Sequence, residues 1–401
     1  MNEFAKAFIE WFNGTDTCVQ DWLGIPDIPA GDDAVAVTGA VFKAIFAVAL
    51  VLVIMGGCLY TVLLERKTAA WAQGRVGPCR TTMPFIAAIP VVGKVLTYCG
   101  FIQPIADGGK LFMRQEPMPE HVNKFYYCLA PCLALAPAIL TIVMMPFTSY
   151  VDPETGKETA LMLCDMNPGF VFVMAVSSLG VYGVVLGGWA SNSKYPFLGS
   201  VRGSAQLISY ELSMVLSVLP VVLLTSGDPD ANPLSLFDIV RGQNGLWNVV
   251  LAPLSAILFF VALMAEMNRQ PFDMPESETD TVGGFHTEYG TFKFGLFFTG
   301  EYLHMILGST MFSLFFLGGW HALPFLPTLG LDGVPAAILG VVCLLVKIVF
   351  MLFVIIWIRW TVPRFRFDQV MRVGWKLLLP FAIANLVAYL VGFGVWDGLL
   401  K

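Results

Sequence analysis

Charge is what this sequence has least of. Asp, Glu, Lys and Arg make up 13% of its 401 residues, about half the share found in ordinary soluble domains. With a mean hydropathy of +0.72, that shortage excludes a conventional soluble domain and places most of the chain in a bilayer. A basic stripe and basic–aromatic interleaving are both missing, which excludes a nucleic-acid partner. The net charge of −6 says little about partners when most residues sit in lipid. Metal patterns are missing too. The eight cysteines (Cys18, Cys58, Cys79, Cys99, Cys128, Cys132, Cys164 and Cys343) are scattered without a Cys-x-x-Cys pair. Cys128 and Cys132, four apart on an apolar helix, read as small core residues. Of His121, His286, His304 and His321, only His304 lies well inside a membrane segment, so a bis-His haem bundle is excluded. The chain has no metal-spaced His/Glu cluster, no Ser/His/Asp set and no Gly-rich phosphate loop. No catalytic residues of its own and no metal site are therefore expected. Internal repeats of the kind that build inverted-repeat transporters are absent. The N-terminus, MNEFAKAFIEWF, has neither the basic-then-apolar order of a signal peptide nor the Arg/Ser bias of a transit peptide. It reads as a short amphipathic helix, which a Gly/Pro/Asp-rich linker extends to residue 38.

What the sequence does have is apolar length. Eight runs of about twenty residues, the length a bilayer requires, fall near 40–64, 125–147, 168–190, 204–226, 247–265, 292–318, 335–358 and 376–397. The expected fold is an all-α polytopic membrane protein with eight transmembrane helices in a domain from 39 to 401. The connections after the odd-numbered spans, with their helix ends, hold 17 of the 23 Lys and Arg residues. That bias puts those connections in the cytoplasm and both termini outside. Two cytoplasmic connections stand out, at 65–124 and 266–291.

The first is too long for a turn. Its segment FIQPIADGGKLFMRQEPMP sets Phe101, Ile105, Leu111 and Phe112 among Asp107, Lys110 and Arg114, the pattern of an amphipathic interfacial helix. The stretch TTMPFIAAIPVVGKVLTYCG before it is apolar but broken by Pro84, Pro90 and Gly93, as a re-entrant or interfacial insert would be. Span two carries Pro131, Pro137 and Pro146, so a kink or local unwinding is expected there. The exit of span three, VSSLGVYGVVLGGWASNSKYPFLGSVRG, is rich in small residues that let helices approach closely.

The second connection is acidic. From Glu266 to Glu301 the chain places Glu266, Asp273, Glu276, Glu278, Asp280, Glu288 and Glu301 against only Arg269 and Lys293. The acids do not stop at the membrane. Glu211 lies roughly 12 Å into span four and Glu301 roughly 15 Å into span six at 1.5 Å per residue, and Glu266 ends span five. Facing lipid would be prohibitive for each, so all three should face the bundle interior. A single such Glu could be a paired core residue. Three of them joined to an acidic loop favour a path for protons or a sensor of charge, because burial brings carboxyl groups towards proton exchange near neutral pH. Arg66 and Lys67 beside Glu65, Arg75 and Arg80 nearby, and Arg364 and Arg366 after span seven are the available counter-charges; most of these read as positive-inside anchors, Arg66 and Arg75 excepted.

The segments LLERKTAAWAQGRVGPCR, QPIADGGKLF, SLGVYGVVLGGWASNSKYPFLGSVRGSAQLISYE, AEMNRQPFDMPESETDTVGGFHTEYGTFKFGLFFTGEY and PRFRFDQVMRVGWK, in this order between Glu65 and Lys376, together resemble the H subunit of respiratory complex I, the NADH:quinone oxidoreductase. The resemblance implies a membrane component of a proton-pumping translocase in a bacterial inner membrane. It would form much of the chamber for quinone, such as ubiquinone, and couple quinone reduction to proton translocation. Quinone would be a substrate, nothing would be bound covalently, and Fe–S clusters and FMN would belong to partner subunits. Expected partners are the hydrophilic B and D subunits at the quinone site, the I subunit, and the membrane-embedded A, J and K subunits. The resemblance places Glu65, Arg66, Arg75, Ala106, Asp107, Lys110 and Phe112 at the quinone mouth and cavity. Asp273, Glu276, Glu278 and Asp280 would form the acidic lining, and Phe272, Phe297 and Phe298 an apolar wall. Glu211, Glu266 and Glu301 would be the intramembrane proton path.

Three features depart from the family's pattern. The N-terminal stretch is longer than typical. The insert from about Thr82 to Gly100 replaces a short Gly/Pro link, and Asp280 stands where Glu is usual. Two other functions fit parts of the sequence. One is the membrane component of an energy-converting hydrogenase, which the complete QPIADGGKLF and PFDMPESE segments disfavour. The other is an autonomous cation or proton transporter, disfavoured by the missing repeats.

Overall fold

In a computed structural model, residues 32–81, 92–151, 158–163, 166, 168–227, 231–243, 245–277, 282–322 and 334–400 are described. The N-terminal amphipathic segment, most of the insert from Thr82, and two residues of the acidic lining, Glu278 and Asp280, lie outside them.

The described chain is mostly helical. Helix α1 (Asp32–Ala72) runs on past Glu65. Two short helices follow in the first long connection, α2 (Val92–Cys99) and α3 (Gln103–Met113), the latter with Pro104 in its first turn. Proline suits that position because its missing N–H has no helical partner there. Helix α4 (Lys124–Ile142) continues through Pro131 and Pro137. α5 (Gly169–Ser178) and α6 (Gly180–Ala190) together form one span. Helix α7 (Lys194–Thr225) begins ten residues before the expected span. Short α8 (Leu236–Arg241) and α9 (Asn248–Leu251) lead into α10 (Pro253–Glu266). Helix α11 (Thr291–Phe316), α12 (Val334–Thr361), α13 (Phe367–Arg372) and α14 (Leu379–Leu400) complete the bundle.

Six of the described helices are long and apolar enough to cross a membrane: Ala47–Ala72, Lys124–Ile142, Gly169–Ala190, Lys194–Thr225, Pro335–Thr361 and Phe367–Gly392. The other two expected spans coincide with α10, apolar but only 14 residues long, and α11, 26 residues long but carrying Lys293, Glu301 and His304.

The sequence reading missed a two-stranded hairpin. Thr148–Val151 pairs antiparallel with Glu158–Leu161, Thr148 opposite Leu161 and Val151 opposite Glu158. Its signal was a β-favouring TSYV before the turn-forming composition DPETG. Thr148 donates its hydroxyl to the Ala337 carbonyl at 3.1 Å, which ties the hairpin to α12.

Helix α7 is the central post, packing against α6, α10 and α14. Its fully buried Tyr210 donates to the Val370 carbonyl at 2.8 Å. Gln206, also fully buried, donates its amide to the carbonyls of Ala265 (2.8 Å) and Phe272 (2.7 Å). Those two bonds satisfy the end of α10 and start of the acidic connection, whose orphan carbonyls would otherwise cost about 1–3 kcal/mol each in an apolar interior. Small residues act as expected where α4 meets α6: a Cβ on Gly183 would lie 2.5 Å from the Ala134 backbone nitrogen. At the far end of the bundle, Lys347 of α12 donates to the carbonyls of Leu317, Gly319 and His321 just beyond α11. A cation suits that helix end.

Candidate functional site

The acidic connection is packed rather than solvated over its first half. Phe272, Asp273, Met274 and Ser277 are buried. Gly284 is what allows the chain to fold back on itself: at φ +67° a Cβ there would lie 1.6 Å from the Pro275 carbonyl oxygen, so the position admits only glycine. Tyr127 of α4 donates to the Glu288 carbonyl at 2.8 Å and stacks on Tyr289, which holds the second half.

This folding carries Arg269 to the centre of an ion cluster. Arg269 is 2% exposed and Glu65 6%. The guanidinium lies 2.5 Å from Glu301 Oε1 through Nε and 3.2 Å from Glu65 Oε2 through a terminal nitrogen, with its plane over the Tyr302 ring at 4.4 Å. Glu65 also pairs with Arg359 and accepts the Tyr302 hydroxyl at 2.6 Å. Two carboxylates and two guanidiniums from α1, α11, α12 and the acidic connection thus neutralise one another out of water. Such pairing is what lets charge persist in a low dielectric. A second pair flanks it: Arg364 holds Asp273 at 2.6 Å and Ser277 at 3.1 Å. Burial pushes Asp273 up to about 7 against the opposing pull of Arg364.

Two cavities adjoin the cluster. The larger, about 330 Å³, lies between α1, α3 and α11. Its apolar wall includes Leu59, Leu63, Phe294 and Phe298, and its polar rim Arg66, Asp107 and Lys110. Arg66 and Asp107 are paired at 2.6 Å, and Gln103 donates to Asp107 at 2.9 Å. Tyr302 lines this cavity as well, so one side chain touches both the chamber and the ion cluster.

The smaller cavity, about 60 Å³, is lined by Glu266, Asn268, Glu276, Glu301 and His304 with Phe297 and Gly300. Glu276 and Glu301 share this cavity, and two carboxyl groups in one small buried space favour holding a proton between them, because two like charges there cannot both ionise cheaply. Burial, reinforced by the charge of Asp273, pushes Glu276 up to about 7. His286 lies 3.6 Å from Glu276, and burial takes it down to about 4. Glu211 lies near enough to Glu266 for their charges to interact.

Of the residues singled out in the sequence, the structure brings Arg66, Asp107, Lys110 and Phe298 together around the larger cavity. Glu266, Glu276, Glu301 and Phe297 gather around the smaller one, and Glu65 and Asp273 sit in the ion pairs. Arg75, Ala106, Phe112 and Phe272 lie outside these groups. Arg75 is exposed beyond α1 beside Gln73. Ala106 is half-buried on α3 without lining the cavity. Phe112 is 73% exposed and packs on Phe292. Phe272 is buried between Tyr210 and Phe365, as core. The sequence reading gave no role to Arg269, Tyr302, His304 or Arg359. Arg269 and Tyr302 had a signal: the lone cation opening an acidic stretch, and a hydroxyl next to a membrane Glu.

Bundle, cavities and buried ion cluster define a class: polytopic membrane proteins that keep charge inside a helical bundle beside an apolar-walled cavity. Residues 45–390 match the NADH dehydrogenase family, and the chain belongs to it. It is 41% identical to the NADH-quinone oxidoreductase H subunit (form 1) of Cytophaga hutchinsonii over 86% of this chain and 94% of that protein. It is 44% identical to the corresponding protein (form 1) of Geobacter metallireducens, over 82% and 89%. To that of Rhizobium meliloti (form 2) it is 40% identical, over 88% and 97%.

Proposed function

We propose that this chain is the membrane component of an NADH:quinone oxidoreductase that shapes the quinone chamber and passes the effect of quinone reduction into buried carboxylates. The observation that carries the reading is the position of Tyr302, on the wall of the 330 Å³ cavity and hydrogen-bonded to Glu65 in the ion cluster. A quinone is a flat polar head on an apolar chain. The larger cavity suits it, with an apolar wall at Leu59, Leu63, Phe294 and Phe298 and a polar rim at Arg66, Asp107 and Lys110. Reduction of the head consumes protons and changes local charge. The Glu65–Arg269–Glu301 cluster lies next to that change, and Glu301 is shared with the proton-bearing pair of the smaller cavity. From there Glu276, Glu266 and Glu211 continue the path. Glu278 and Asp280 extend the same acidic stretch in sequence.

The chain supplies no electron carrier in this reading. Electrons arrive from Fe–S clusters and FMN of partner subunits, with the B, D and I subunits at the hydrophilic side and the A, J and K subunits in the membrane. All eight apolar helices cross the bacterial inner membrane, α10 and α11 among them. The termini are then periplasmic, the two long connections cytoplasmic, and α2 and α3 interfacial.

The test is Glu211→Gln and Glu301→Gln in the assembled complex in vesicles, with quinone reduction and proton pumping measured together. Both variants should assemble and lose coupled turnover. Normal coupled turnover in both would remove the proton path. A hydrogenase-type membrane component would instead sit in a complex that evolves hydrogen and ignores added quinone, and an autonomous transporter would move ions when reconstituted alone.

A further inference from the structure

The smaller cavity contains one titratable side chain that the path above does not use. His304 sits one helical turn after Glu301 on α11, with its ring half-buried and bordering the cavity. Its Nδ1 lies 2.8 Å from the Gly300 carbonyl oxygen. A carbonyl only accepts, so Nδ1 must carry the hydrogen, and in the neutral ring the lone pair is then on Nε2. Nε2 faces the junction of α5 and α6, where Gly180 leaves it room: a Cβ on Gly180 would lie 3.2 Å from it. The titratable groups that line the same cavity are Glu266 at the end of α10, Glu276 in the acidic connection and Glu301 on the histidine's own helix. The residues contributed by α4, α5, α6 and α7 (Ala134, Ser177, Gly180, Val181, Val184 and Leu207) are not titratable. A volume of about 60 Å³ holds a few waters, since one needs roughly 10–15 Å³ of such space.

We propose that His304 carries protons in this path, accepting on Nε2 the proton shared by Glu276 and Glu301 and releasing it to Glu266. The inference rests on the coupling function proposed above. The transfer balances in two steps. A water relays the proton from the Glu276–Glu301 pair to Nε2, leaving two carboxylates and an imidazolium whose Nδ1–H stays on Gly300. The imidazolium then returns a proton from Nε2 through water to the Glu266 carboxylate, which restores the neutral ring with the same tautomer. Without the ring, protons must cross from the Glu276–Glu301 pair to Glu266 on water alone.

His304→Asn and His304→Gln test this in the intact complex. Asn offers an amide near Nδ1 and Gln one near Nε2, so each keeps polar contact and removes the titration. A merely structural histidine would tolerate one of them. Both variants are expected to assemble, to lower coupled turnover by about tenfold or more, and to alter the pH profile of pumping, because the titrating ring is gone. Coupled turnover within about twofold of the parent and an unchanged profile in either variant overturn the proposal. Should neither variant assemble, Gly180→Ala decides. Crowding Nε2 must slow pumping without changing the KM for quinone, and unchanged pumping overturns the proposal. Glu301→Gln run in parallel separates the two levels. If it uncouples the complex while the His304 variants do not, only the histidine's role falls; if it also leaves coupling intact, the acidic path falls with it.

Discussion

Replacing Arg269 with Met is the sharpest test of the ion cluster, because the structure fixes what is lost. The side chain is 2% exposed. It is the cation shared by Glu65 and Glu301, while Arg359 reaches only Glu65. Methionine keeps much of the length and apolar stem but removes the charge, leaving Glu301 without its ion-pair partner and Glu65 with one. Removing one partner of a buried pair costs about 3–5 kcal/mol, and the loss of the stacking contact over Tyr302 adds up to about 2 kcal/mol. A penalty of that size is comparable to about half of a typical domain's stability. It need not be met by unfolding, because Glu301 can take up a proton instead. Two measurements follow: the temperature at which this chain leaves the purified complex, and the carboxylic acid band in its infrared spectrum. Arg269→Met should lower the first and add intensity to the second. Arg269→Met with Glu301→Gln should recover part of the lost stability, because the orphan charge is gone. If the single variant is as stable as the parent, or if Glu301→Gln makes it worse, the cluster does not neutralise charge as described.

Other expectations concern the cavities. Phe298→Trp enlarges a side chain on the wall of the 330 Å³ chamber and should raise the KM for quinone several-fold with little change in kcat, read in steady-state kinetics with a short-chain quinone. Glu276 gives a pH test. Its carboxyl is raised from 4.5 to about 7 by burial, so the fold favours its protonated form. That stabilising contribution is complete below about pH 4.5 and is lost as pH rises through about 7. Glu276→Gln mimics the protonated state. The parent complex should therefore lose thermal stability relative to this variant between those two values, and a constant difference across the range would contradict the assignment.

Much of the bundle could be read directly. Twenty-residue apolar runs such as those at α1, α4 and α12 have no stable home except across a bilayer, so their positions follow from hydropathy alone. The acids assigned to the proposed path were equally visible, since Glu211, Glu266 and Glu301 break apolar surroundings. Partners are harder to read than positions. Glu65 and Glu301 are 236 residues apart, and nothing local in either segment says that Arg269 will lie between them. That arrangement depends on the buried Gln206 bonds and on the Gly284 reversal, which are tertiary. Arg359 has no local signal at the end of an apolar helix, and only the crossing of α12 past α1 turns it towards Glu65. The hairpin was lost for a different reason. Four-residue strands next to long apolar helices carry too short a pattern to compete with the helical period.

The claim at the centre is that chemistry in the chamber reaches the buried acids through Tyr302. Tyr302→Phe removes one hydroxyl, the one that donates to Glu65 at 2.6 Å, and leaves the ring on the cavity wall and under Arg269. The measurement is the number of protons pumped per electron delivered to quinone, taken on the same vesicles containing the assembled complex. The expected result is quinone reduction within a few-fold of the parent and a clearly lower proton-to-electron ratio. An unchanged ratio would show that the hydroxyl link between chamber and cluster plays no part in coupling.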